Sequence, residues 1–486
     1  MPRVTQQPTD VAIVGAGAVG LTMAGRLAQL GARVTLFDAS DARSRIGSRA
    51  ICMQRETLEI WARLGIGEEL AERGVQWRIG RTYFRGRELF SVELPGSDEH
   101  FPPFVNISQS EVEDRLAERV RELGVDVAEG HRFVGLVQDP DGVTATFATE
   151  RGEVAHRSGF VVGTDGAHSA VRHAIGIGFA GDTFGDRFLI ADVRAELPFS
   201  LERHFHFDPP WNPGRQVLLH PQPDGVWRID WQVPAETDAD AERESGALDR
   251  RIRAVLGPST SYELLWVTGY RFSQRVADAF RVGRVLLAGD AAHVMSPFGA
   301  RGLNSGVADA ENLAWKLAFV LRGDAPATLL DTYDAERRPA ALDNLAATGA
   351  TMRFMAPRGP MRRAWRDLVL RMAPRSAWFR KRVDSGRLSE PATYATSPLV
   401  ADGHGSIAPD ISLSDGERLR DRIGNAFVVV ADAPVPGVAT LVSTDRRLAG
   451  RAWIVRPDGH VADSLSLVDA EPGELDARLR RARGLT

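Results

Sequence analysis

The chain has 486 residues, too many for one ordinary hydrophobic core, so two or three domains are expected. Its hydrophobic content of 43% and charged content of 26% are typical of globular proteins. With a net charge of −4 and no long block of like charge, the sequence gives no electrostatic reason to bind nucleic acid or a membrane surface.

The sequence also sets expectations for compartment and redox chemistry. No run approaches the roughly 18 apolar residues of a membrane span, and Met1 to Asp10 lacks the apolar core of a secretion signal. Cys52 is the only cysteine, which excludes an intramolecular disulfide and a CxxC redox pair. We therefore expect a cytoplasmic protein with no membrane partner.

The N-terminal part predicts alternating strands and helices. Val11 to Val14 is a short apolar run typical of a buried parallel strand, and Ala18 to Leu30 has helical periodicity that ends at Gly31. Arg33 to Phe37 predicts a second strand, which completes a βαβ unit. An amphipathic helix follows over 110–123, and strands are expected at 125–128 and 143–147.

From about residue 179 to 272 the apolar residues alternate with polar ones, which indicates an antiparallel sheet inserted into the α/β unit. Strands are predicted at 203–207, 216–220 and 226–233, and the last two flank the turn Gln222 to Gly225 as a hairpin would. A buried strand at 284–288 and a long helix at 305–322 then resume the α/β pattern.

The C-terminal part is less regular. Residues 352–387 are rich in arginine, methionine and tryptophan at helical spacing, and we predict a helix that bridges domains rather than one that lies on a membrane. The Gly, Ser and Pro content of 394–406 suggests a linker. Strands at 427–431 and 452–455 predict a small C-terminal α/β domain.

One glycine-rich turn has the features of a dinucleotide-binding site. Gly15, Gly17 and Gly20 form a GxGxxG pattern between the first strand and its helix, with Ala18 opening that helix. The glycines allow a tight turn and close approach of a pyrophosphate, and the helix N-terminus favours its negative charge. Asp38 ends the second strand, where it can bind a ribose hydroxyl. This pattern does not distinguish NAD from FAD.

Two later motifs favour FAD. Thr164, Asp165 and Gly166 lie between a predicted strand and a helix start, and Gly289 and Asp290 follow the strand at 284–288. The run 297–304 then leads into the long helix. A carboxylate after a strand suits a ribityl chain, and a glycine-rich helix start suits a flat ring that is anionic when reduced.

At these three motifs, over about residues 10–350, the sequence resembles the class A flavoprotein monooxygenases, the para-hydroxybenzoate hydroxylase family. It is most similar to the larger phenolic hydroxylases, such as 3-(3-hydroxyphenyl)propionate hydroxylase and polyketide-tailoring hydroxylases. The resemblance implies an α/β fold: a Rossmann-like FAD-binding domain (1–178 and 276–350), an inserted antiparallel-sheet substrate domain (179–275), bridging helices and a linker (351–399), and a small thioredoxin-like C-terminal domain (400–486).

The resemblance also implies residue roles. Asp38 would bind the adenosine ribose, Arg49 the pyrophosphate and Gln109 the phosphate side of the flavin, while Asp165 would close the second motif. Asp290 would hold the ribityl chain. The isoalloxazine ring would be lined by Pro297, Gly299, Gly302, Leu303 and Asn304.

The reaction implied by the resemblance needs NADPH or NADH, O₂ and an aromatic, phenolic small molecule, which is hydroxylated through a flavin C4a-hydroperoxide. A group that helps to ionise the phenol would speed the attack. His206, His220, Tyr83 and Tyr270 are candidates for that group. Trp231, Pro297 and Phe298 are further candidates for lining the substrate pocket. No spacing supports any of them, so the catalytic residue stays unassigned.

Alternatives remain open within and outside oxygen transfer. The chain could instead be an epoxidase or a Baeyer–Villiger-type monooxygenase of a polyketide-like substrate, or a flavin-bearing binder without activity. A halogenase is disfavoured because no lysine precedes Lys316. His204 and His206 lack a third ligand, so we predict no metal site. The specific substrate, the ring position attacked, the choice of NADPH or NADH, and whether the protein is a monomer or a homodimer are left undetermined.

Overall fold

The computed structural model describes residues 3–4, 8–40, 50–93, 99–198, 201–296, 299–357, 359–383, 390–468 and 473–485. Its strands, in chain order, are β1 (Arg3–Val4), β2 (Thr9–Val14), β3 (Val34–Phe37), β4 (Cys52–Gln54), β5 (Ile79–Phe84), β6 (Arg87–Glu93), β7 (Phe104–Asn106), β8 (Asp126–Ala128), β9 (Arg132–Asp139), β10 (Gly142–Thr149), β11 (Gly152–Gly163), β12 (Phe179–Arg194), β13 (Arg203–Phe207), β14 (Gln216–Pro221), β15 (Val226–Val233), β16 (Glu263–Ala277), β17 (Arg281–Val282), β18 (Val285–Leu287), β19 (His293–Val294), β20 (Val428–Ala431), β21 (Thr440–Val442), β22 (Arg451–Val455) and β23 (Val461–Ser466).

The helices, in chain order, are α1 (Ala18–Gln29), α2 (Arg55–Arg63), α3 (Gly67–Arg73), α4 (Gln109–Glu122), α5 (Ala170–Ala174), α6 (Ala239–Glu244), α7 (Ala247–Leu256), α8 (Arg301–Arg322), α9 (Asp331–Met355), α10 (Pro360–Met372), α11 (Ala377–Val383), α12 (Leu419–Arg422) and α13 (Glu474–Ala482). In the part of the chain that the structure describes, no helix is long and apolar enough to cross a membrane.

The first sheet is built around five neighbouring parallel strands in the order β18–β11–β2–β3–β8. Their apolar runs are buried on both faces, as in Val11 to Val14, which is the expected environment of a parallel strand covered by helices. Because the strands are parallel, Val14, Phe37, Gly163 and Leu287 all end at one edge of the sheet. The loops that carry the three glycine-containing motifs therefore meet at that edge.

The second sheet has the order β19–β16–β12–β15–β14–β13–β5–β6. The predicted hairpin forms between β14 and β15, with Val217 opposite Trp231. Two of its strands, β5 and β6, come from residues 79–93, which the sequence pattern did not assign to this sheet. Residues alternate between its faces. One face packs on α7 around Ile229, and the other carries the aromatic cluster of Phe188 and Phe205.

The C-terminal sheet has the order β21–β20–β22–β23, with β20 and β21 parallel and the other pairs antiparallel. This is the strand order of a thioredoxin-like core, followed by α13 as the C-terminal helix. The segment 432–439, where a thioredoxin fold has a crossover helix, contains no helix. The mixed α/β fold class predicted from the sequence is confirmed.

Two C-terminal expectations need correction. Residues 352–383 do not form one bridging helix, because the helical structure is interrupted between α9 and α10 and again between α10 and α11. Residues 384–387 of the predicted segment lie outside the described residues. The predicted linker is not an open spacer. Tyr394 is buried, its ring stacks on His460 at a centroid distance of 4.1 Å, and its hydroxyl accepts a hydrogen bond from Arg337.

A buried network of charges joins the C-terminal sheet to the helices of the first unit. Arg456 donates to both oxygens of Glu336 on α9 (2.7 and 2.8 Å) and to Asp458 (2.5 Å), and Lys316 on α8 donates to Glu336 (2.7 Å). Burial lowers the pKa of Lys316 to about 8 against the attraction of Glu336. Burial opposes the charge on Glu336 too, but Arg456 and Lys316 hold its pKa well below the usual range. Because the charges at this interface are buried and paired with one another, removing any one partner would leave a buried charge unpaired, which destabilises the fold.

Replacing Arg456 tests this interface. Arg456→Met leaves Glu336 and Asp458 buried without their shared cation, and we expect it to lower the free energy of unfolding by about 3–5 kcal/mol. Urea unfolding followed by tryptophan fluorescence measures the effect. Arg451→Met, on the exposed start of the same strand β22, is the matched control and should change the unfolding midpoint little. Equal midpoints for the two variants would contradict the role assigned to the network.

Candidate active site

The first glycine motif forms a tight turn between β2 and α1. Gly15 has a φ of +110°, and a Cβ at this position would lie 2.5 Å from the Thr164 carbonyl oxygen. A Cβ on Gly20 would lie 1.9 Å from the Gly15 carbonyl oxygen. These two positions therefore require glycine for backbone packing. Gly17 differs, because a Cβ there would meet only a Glu113 oxygen, at 3.6 Å, and this leaves room for a ligand to approach the backbone.

Backbone N–H groups of this turn donate hydrogen bonds to carboxylates. Ala16 N–H donates to Asp38 Oδ2 (2.7 Å), so Asp38 lies beside the turn as predicted from its position after the second strand. Ala18 N–H donates to Glu113 Oε1 (3.1 Å), which also accepts from Gln109 Nε2 (2.9 Å). The N-terminus of α1 is thus bound by an anionic oxygen, as a phosphate oxygen would bind there. No sequence motif pointed to Glu113, although its spacing of four from Gln109 puts both on one face of α4.

The second motif closes against the first. Thr164 Oγ1 donates to the Gly15 carbonyl oxygen (2.8 Å). Asp165 accepts from Ser169 Oγ (2.5 Å) and from Val171 N–H (3.1 Å), so its carboxylate caps helix α5. Thr164 and Gly166 line the large cavity described below, whereas Asp165 does not. A direct role for Asp165 toward FAD or NADPH stays a prediction.

The third motif packs on the first through small residues. Gly289 has a φ of +62° in a 3₁₀ turn over Gly289–Ala291, and a Cβ there would lie 3.0 Å from the Val19 side chain. A Cβ on Gly306 of α8 would lie 2.7 Å from the same side chain. This close packing puts Asp290, which lines the cavity, near the N-terminal end of α1.

The start of α8 forms another wall. Gly299, Gly302 and Leu303 line the cavity. Asn304 does not line it: its Oδ1 accepts from Gln54 N–H (2.9 Å) and its Nδ2 donates to the Cys52 carbonyl (3.0 Å), and its place beside the flavin ring stays a prediction. The side chain ties β4 to the helix. The predicted site residues Arg49, Pro297 and Phe298 lie outside the described residues.

One cavity of about 680 Å³ connects the three motifs with the second sheet. Its near end is lined by Gly17, Gln109 and Asp290. Its far end is lined by apolar side chains of the sheet, which are Phe188, Ile190, Phe205, Leu218, Trp266 and Phe272. The cavity therefore brings a dinucleotide-type binding turn and an aromatic-lined chamber into one continuous space, as an enzyme site for an apolar substrate requires.

Polar side chains interrupt the apolar chamber. His220 on β14 and Asp230 on β15 line it, with 4.0 Å between Nε2 and Oδ2 and with 15% and 21% of their side chains exposed. Burial raises the pKa of Asp230 to about 7, against the attraction of Arg228. Burial also lowers the pKa of His220 to about 3, and the positive charges of Arg203 and Arg228 act in the same direction. At neutral pH the imidazole is uncharged and the carboxyl group is close to half-ionised.

The two arginines of the chamber differ in their pairing. Arg228 donates to Asp192 through Nε (2.8 Å) and a terminal nitrogen (2.7 Å), so its charge is neutralised in place. Arg203 lies over the Trp77 ring at 5.1 Å, and its Nε has no hydrogen-bond partner within the described residues. Arg203 is therefore the better candidate to meet an anionic group of a ligand. Burial raises the pKa of Cys52, also in this cavity, to about 12, which keeps it a thiol.

Several other candidates lie on the opposite face of the sheet. Trp231 is fully buried against the α7 side, away from the cavity, which corrects the prediction that it packs against the substrate. Tyr83 and His206 stack on each other at a centroid distance of 4.5 Å and also lie outside the cavity lining. Of the four candidates for ionising a phenol, His220 and Tyr270 line the cavity. Among the described residues, no group of three or more His, Cys, Asp or Glu side chains is placed to hold a metal ion.

Known proteins match the chain over most of its length. The family described as FAD binding domain matches residues 8–348. Rifampicin monooxygenase of Streptomyces venezuelae is 33% identical over 93% of this chain and 94% of that protein. The 6-methylpretetramide 4-monooxygenase of Streptomyces rimosus is 33% identical over 84% of this chain and 74% of that protein.

The fold has a solved counterpart. The structure of the rebeccamycin biosynthetic enzyme RebC with reduced flavin matches with a TM-score of 0.81 and 27% identity, and covers 99% of this chain and 100% of that one. The resemblance inferred from the three motifs is thus confirmed at the level of the family and the fold.

The raised pKa of Asp230 predicts a pH-dependent cost in stability. A carboxyl group whose pKa is about 7 when folded, against an ordinary value of 3.8, stabilises the fold only while it is protonated. That stability is complete below pH 4 and is lost as the pH rises through 7. We expect Asp230→Asn to match the parent chain near pH 4.5 and to be more stable at pH 8, by on the order of 2–4 kcal/mol. Chemical unfolding at both pH values measures this, and an equal effect at both would be inconsistent with it.

Proposed function

Because the chain belongs to the FAD binding domain family and is an FAD-dependent monooxygenase of aromatic compounds, we propose that it hydroxylates a polycyclic phenol. The observation that carries this proposal is the single cavity of about 680 Å³ that runs from the glycine turn to the aromatic face of the second sheet. Pockets for drug-sized ligands span roughly 300–1,000 Å³. FAD would fill the near end of this cavity, so the volume is shared between cofactor and substrate. The apolar, aromatic walls of the far end are what suit fused rings better than a small phenolic acid.

The residues present fit FAD. The open space at Gly17 and the donor at Ala18 N–H, which here binds the Glu113 carboxylate, suit the pyrophosphate. Asp38 lies beside the same turn, where it would bind the adenosine ribose. Asp290 would bind the ribityl chain, and the start of α8 with Leu303 would support the ring system. These assignments carry the family's pattern onto this chain residue by residue and are part of the proposal.

The protein's part in the reaction is to bind, orient and exclude water. Bound FAD, reduced by NADPH or NADH, supplies the activation of O₂. The aromatic side chains of the sheet would hold the fused rings flat against the flavin side of the cavity and keep water from the reacting atoms. Arg203, whose charge has no acidic partner among the described residues, would attract an ionised oxygen of the substrate.

The names of two relatives agree with a large substrate, whereas a third, from Comamonas testosteroni, is named for 3-(3-hydroxy-phenyl)propionate and 3-hydroxycinnamic acid. Those two enzymes are named for rifampicin and for 6-methylpretetramide. We propose a large aromatic substrate, but neither compound itself, for this chain. We further propose that the protein works in the cytoplasm, where NADPH and NADH are supplied; its single cysteine is in keeping with a reducing compartment.

Substrate-stimulated cofactor oxidation tests the proposal. Flavin-loaded protein is incubated in air with NADPH, and separately with NADH, alone and with a panel of phenolic acids and polycyclic phenols. We expect one or more polycyclic phenols to accelerate cofactor oxidation and to yield a product heavier by one oxygen atom, while small phenolic acids have less effect. Acceleration by phenolic acids only would contradict the proposed substrate size. A ring-expanded ester or an epoxide as product would instead favour the alternative oxygen-transfer reactions.

Replacing Asp290 tests the flavin site. Asp290→Ala removes the carboxylate next to the third motif, and we expect purified protein with less than about a tenth of the parent's flavin content. The ratio of flavin to protein absorbance measures this directly. Asp141→Ala, in the exposed turn between β9 and β10, is the matched control and should retain its flavin. A fully yellow Asp290→Ala protein would show that this residue does not hold the cofactor.

A further inference from the structure

Helices α10 and α11 expose large apolar side chains on the outer surface of the protein. Met361, Trp365 and Leu368 on α10 and Trp378 on α11 are between 46% and 84% exposed. Trp365 and Trp378 are the only exposed tryptophans among the described residues. A large apolar side chain gains free energy when it leaves water, so a group of them on the surface indicates a binding site for an apolar partner.

These side chains form one continuous patch. Met361, Trp365 and Leu368 follow one another at spacings of four and three residues, so they lie on one face of α10. Phe379 connects the two helices, because its ring centroid lies 6.5 Å from that of Trp365 and 4.7 Å from that of Trp378. We call these five residues the apolar patch.

The opposite face of α10 is packed on the second sheet. Val369 and Leu370 are fully buried, and Leu370 belongs to the aromatic cluster of that sheet. Asp367 pairs with Arg85, in the turn between β5 and β6, at 3.1 Å. The inner face of α10 therefore already has its partner within the chain, and the apolar patch is an additional, outward-facing surface.

The apolar patch lies in a strongly basic part of the chain. Residues 360–383 contain seven arginines, one lysine and a single acidic residue, so this stretch has a net charge of +7 although the whole chain has −4. Six of the arginines are exposed and form no ion pair with the described residues, and these are Arg362, Arg363, Arg371, Arg375, Arg380 and Arg382. The guanidinium carbon of Arg382 lies 4.1 Å from the centre of the Trp378 ring, so positive charge directly adjoins the apolar patch.

We propose that the apolar patch and its arginines dock the protein on a membrane surface that contains anionic phospholipids. The tryptophan, methionine and leucine side chains would enter the boundary between headgroups and acyl chains, and the arginines would pair with lipid phosphates. This docking requires no helix that crosses the bilayer. It differs from the expectation drawn from the sequence, because the charge of the whole chain does not reveal a local excess and the sequence does not show which side chains are exposed.

The composition of the surface favours lipid over other partners. A nucleic acid would pair with the arginines, but its phosphates offer nothing to Met361 or Leu368. A second copy of this chain, related by two-fold symmetry, would bring the same surface of each copy together. The unpaired arginines of the two copies would then repel each other. An anionic bilayer satisfies both the apolar and the charged side chains.

The docking surface adjoins the far end of the cavity. Met355, at the end of α9, and Val383, at the end of α11, both line the cavity, and α10 lies between them in the chain. A docked protein would hold this end of the cavity beside the bilayer, where apolar aromatic compounds concentrate. This consequence for substrate supply rests on the proposed function, whereas the docking itself does not.

Sedimentation with vesicles tests the docking. Flavin-loaded protein is mixed with vesicles of phosphatidylcholine alone, or of phosphatidylcholine and phosphatidylglycerol in equal parts, and bound protein is measured by flavin absorbance. We expect binding to the anionic vesicles to be tighter than to the neutral ones by about tenfold or more, and to be lost at about 0.5 M salt.

Variants separate the apolar and the charged contributions. Trp365→Gln combined with Trp378→Gln should weaken binding to anionic vesicles by about tenfold or more. Arg362→Gln combined with Arg363→Gln should weaken it by about tenfold as well. The matched controls are Val137→Gln, an exposed apolar position on β9, and Arg151→Gln, in the exposed turn between β10 and β11. Both controls should bind as the parent does.

Flavin content and the thermal midpoint establish that each variant is folded. Failure of the parent to bind anionic vesicles would overturn the docking, and so would equal binding by the parent and the double tryptophan variant. Binding to RNA in place of vesicles, or a dimer that dissociates in the double tryptophan variant, would assign the surface to another partner. Substrate-stimulated NADPH oxidation is measured without vesicles, so a failure of the proposed function is recognised separately.

Discussion

The carboxylate of Asp309 is the contact on which the geometry of the active site depends. It is fully buried on α8, and its Oδ2 accepts the Gly289 backbone N–H (3.0 Å) and His293 Nε2 (2.6 Å), while its Oδ1 accepts from Arg337 (2.7 Å). Burial opposes the ionised form, but the neighbouring cations keep the pKa of Asp309 below its ordinary value. The Asp309 side chain thus holds the Gly289 turn of the third motif against α8, and the first residues of α8 line the cavity. Arg337 extends this contact to the hydroxyl of Tyr394 and hence to the C-terminal part of the chain.

Buried charged side chains are paired more completely in the scaffold than in the cavity. Around Glu336 and Asp309 each buried charge has partners within hydrogen-bond distance, which gives a rigid frame that is vulnerable to the loss of any one partner. In the chamber, Asp230 and His220 are incompletely bonded, and they lower the stability of the ligand-free protein. This is the arrangement expected of an active site, where incompletely satisfied groups become useful only when substrate is present. The same contrast separates Arg228, paired with Asp192, from Arg203.

The sequence predicted the three strand–turn motifs of the first sheet, but not which side chains of the inserted sheet face the cavity, and the reason is physical. The three motifs are local strand–turn–helix units, and parallel strands necessarily bring such turns to one edge of a sheet. The substrate chamber depends on which face each residue of the inserted sheet presents, and a shift of one position reverses that face. Trp231 and Asp230 are adjacent, yet only Asp230 lines the cavity. Arg456 and Glu336 lie far apart in sequence, and no local pattern indicated that they meet.

The central claim is that this cavity brings activated oxygen and an aromatic ring together. Isotope labelling tests that claim most directly. The flavin-loaded protein is supplied with NADPH or NADH, the phenol that most accelerates cofactor oxidation, and ¹⁸O₂, and the product is analysed by mass spectrometry. Our account predicts a hydroxylated ring that carries one labelled oxygen atom. Label appearing only as hydrogen peroxide, with the phenol recovered unchanged, would contradict it.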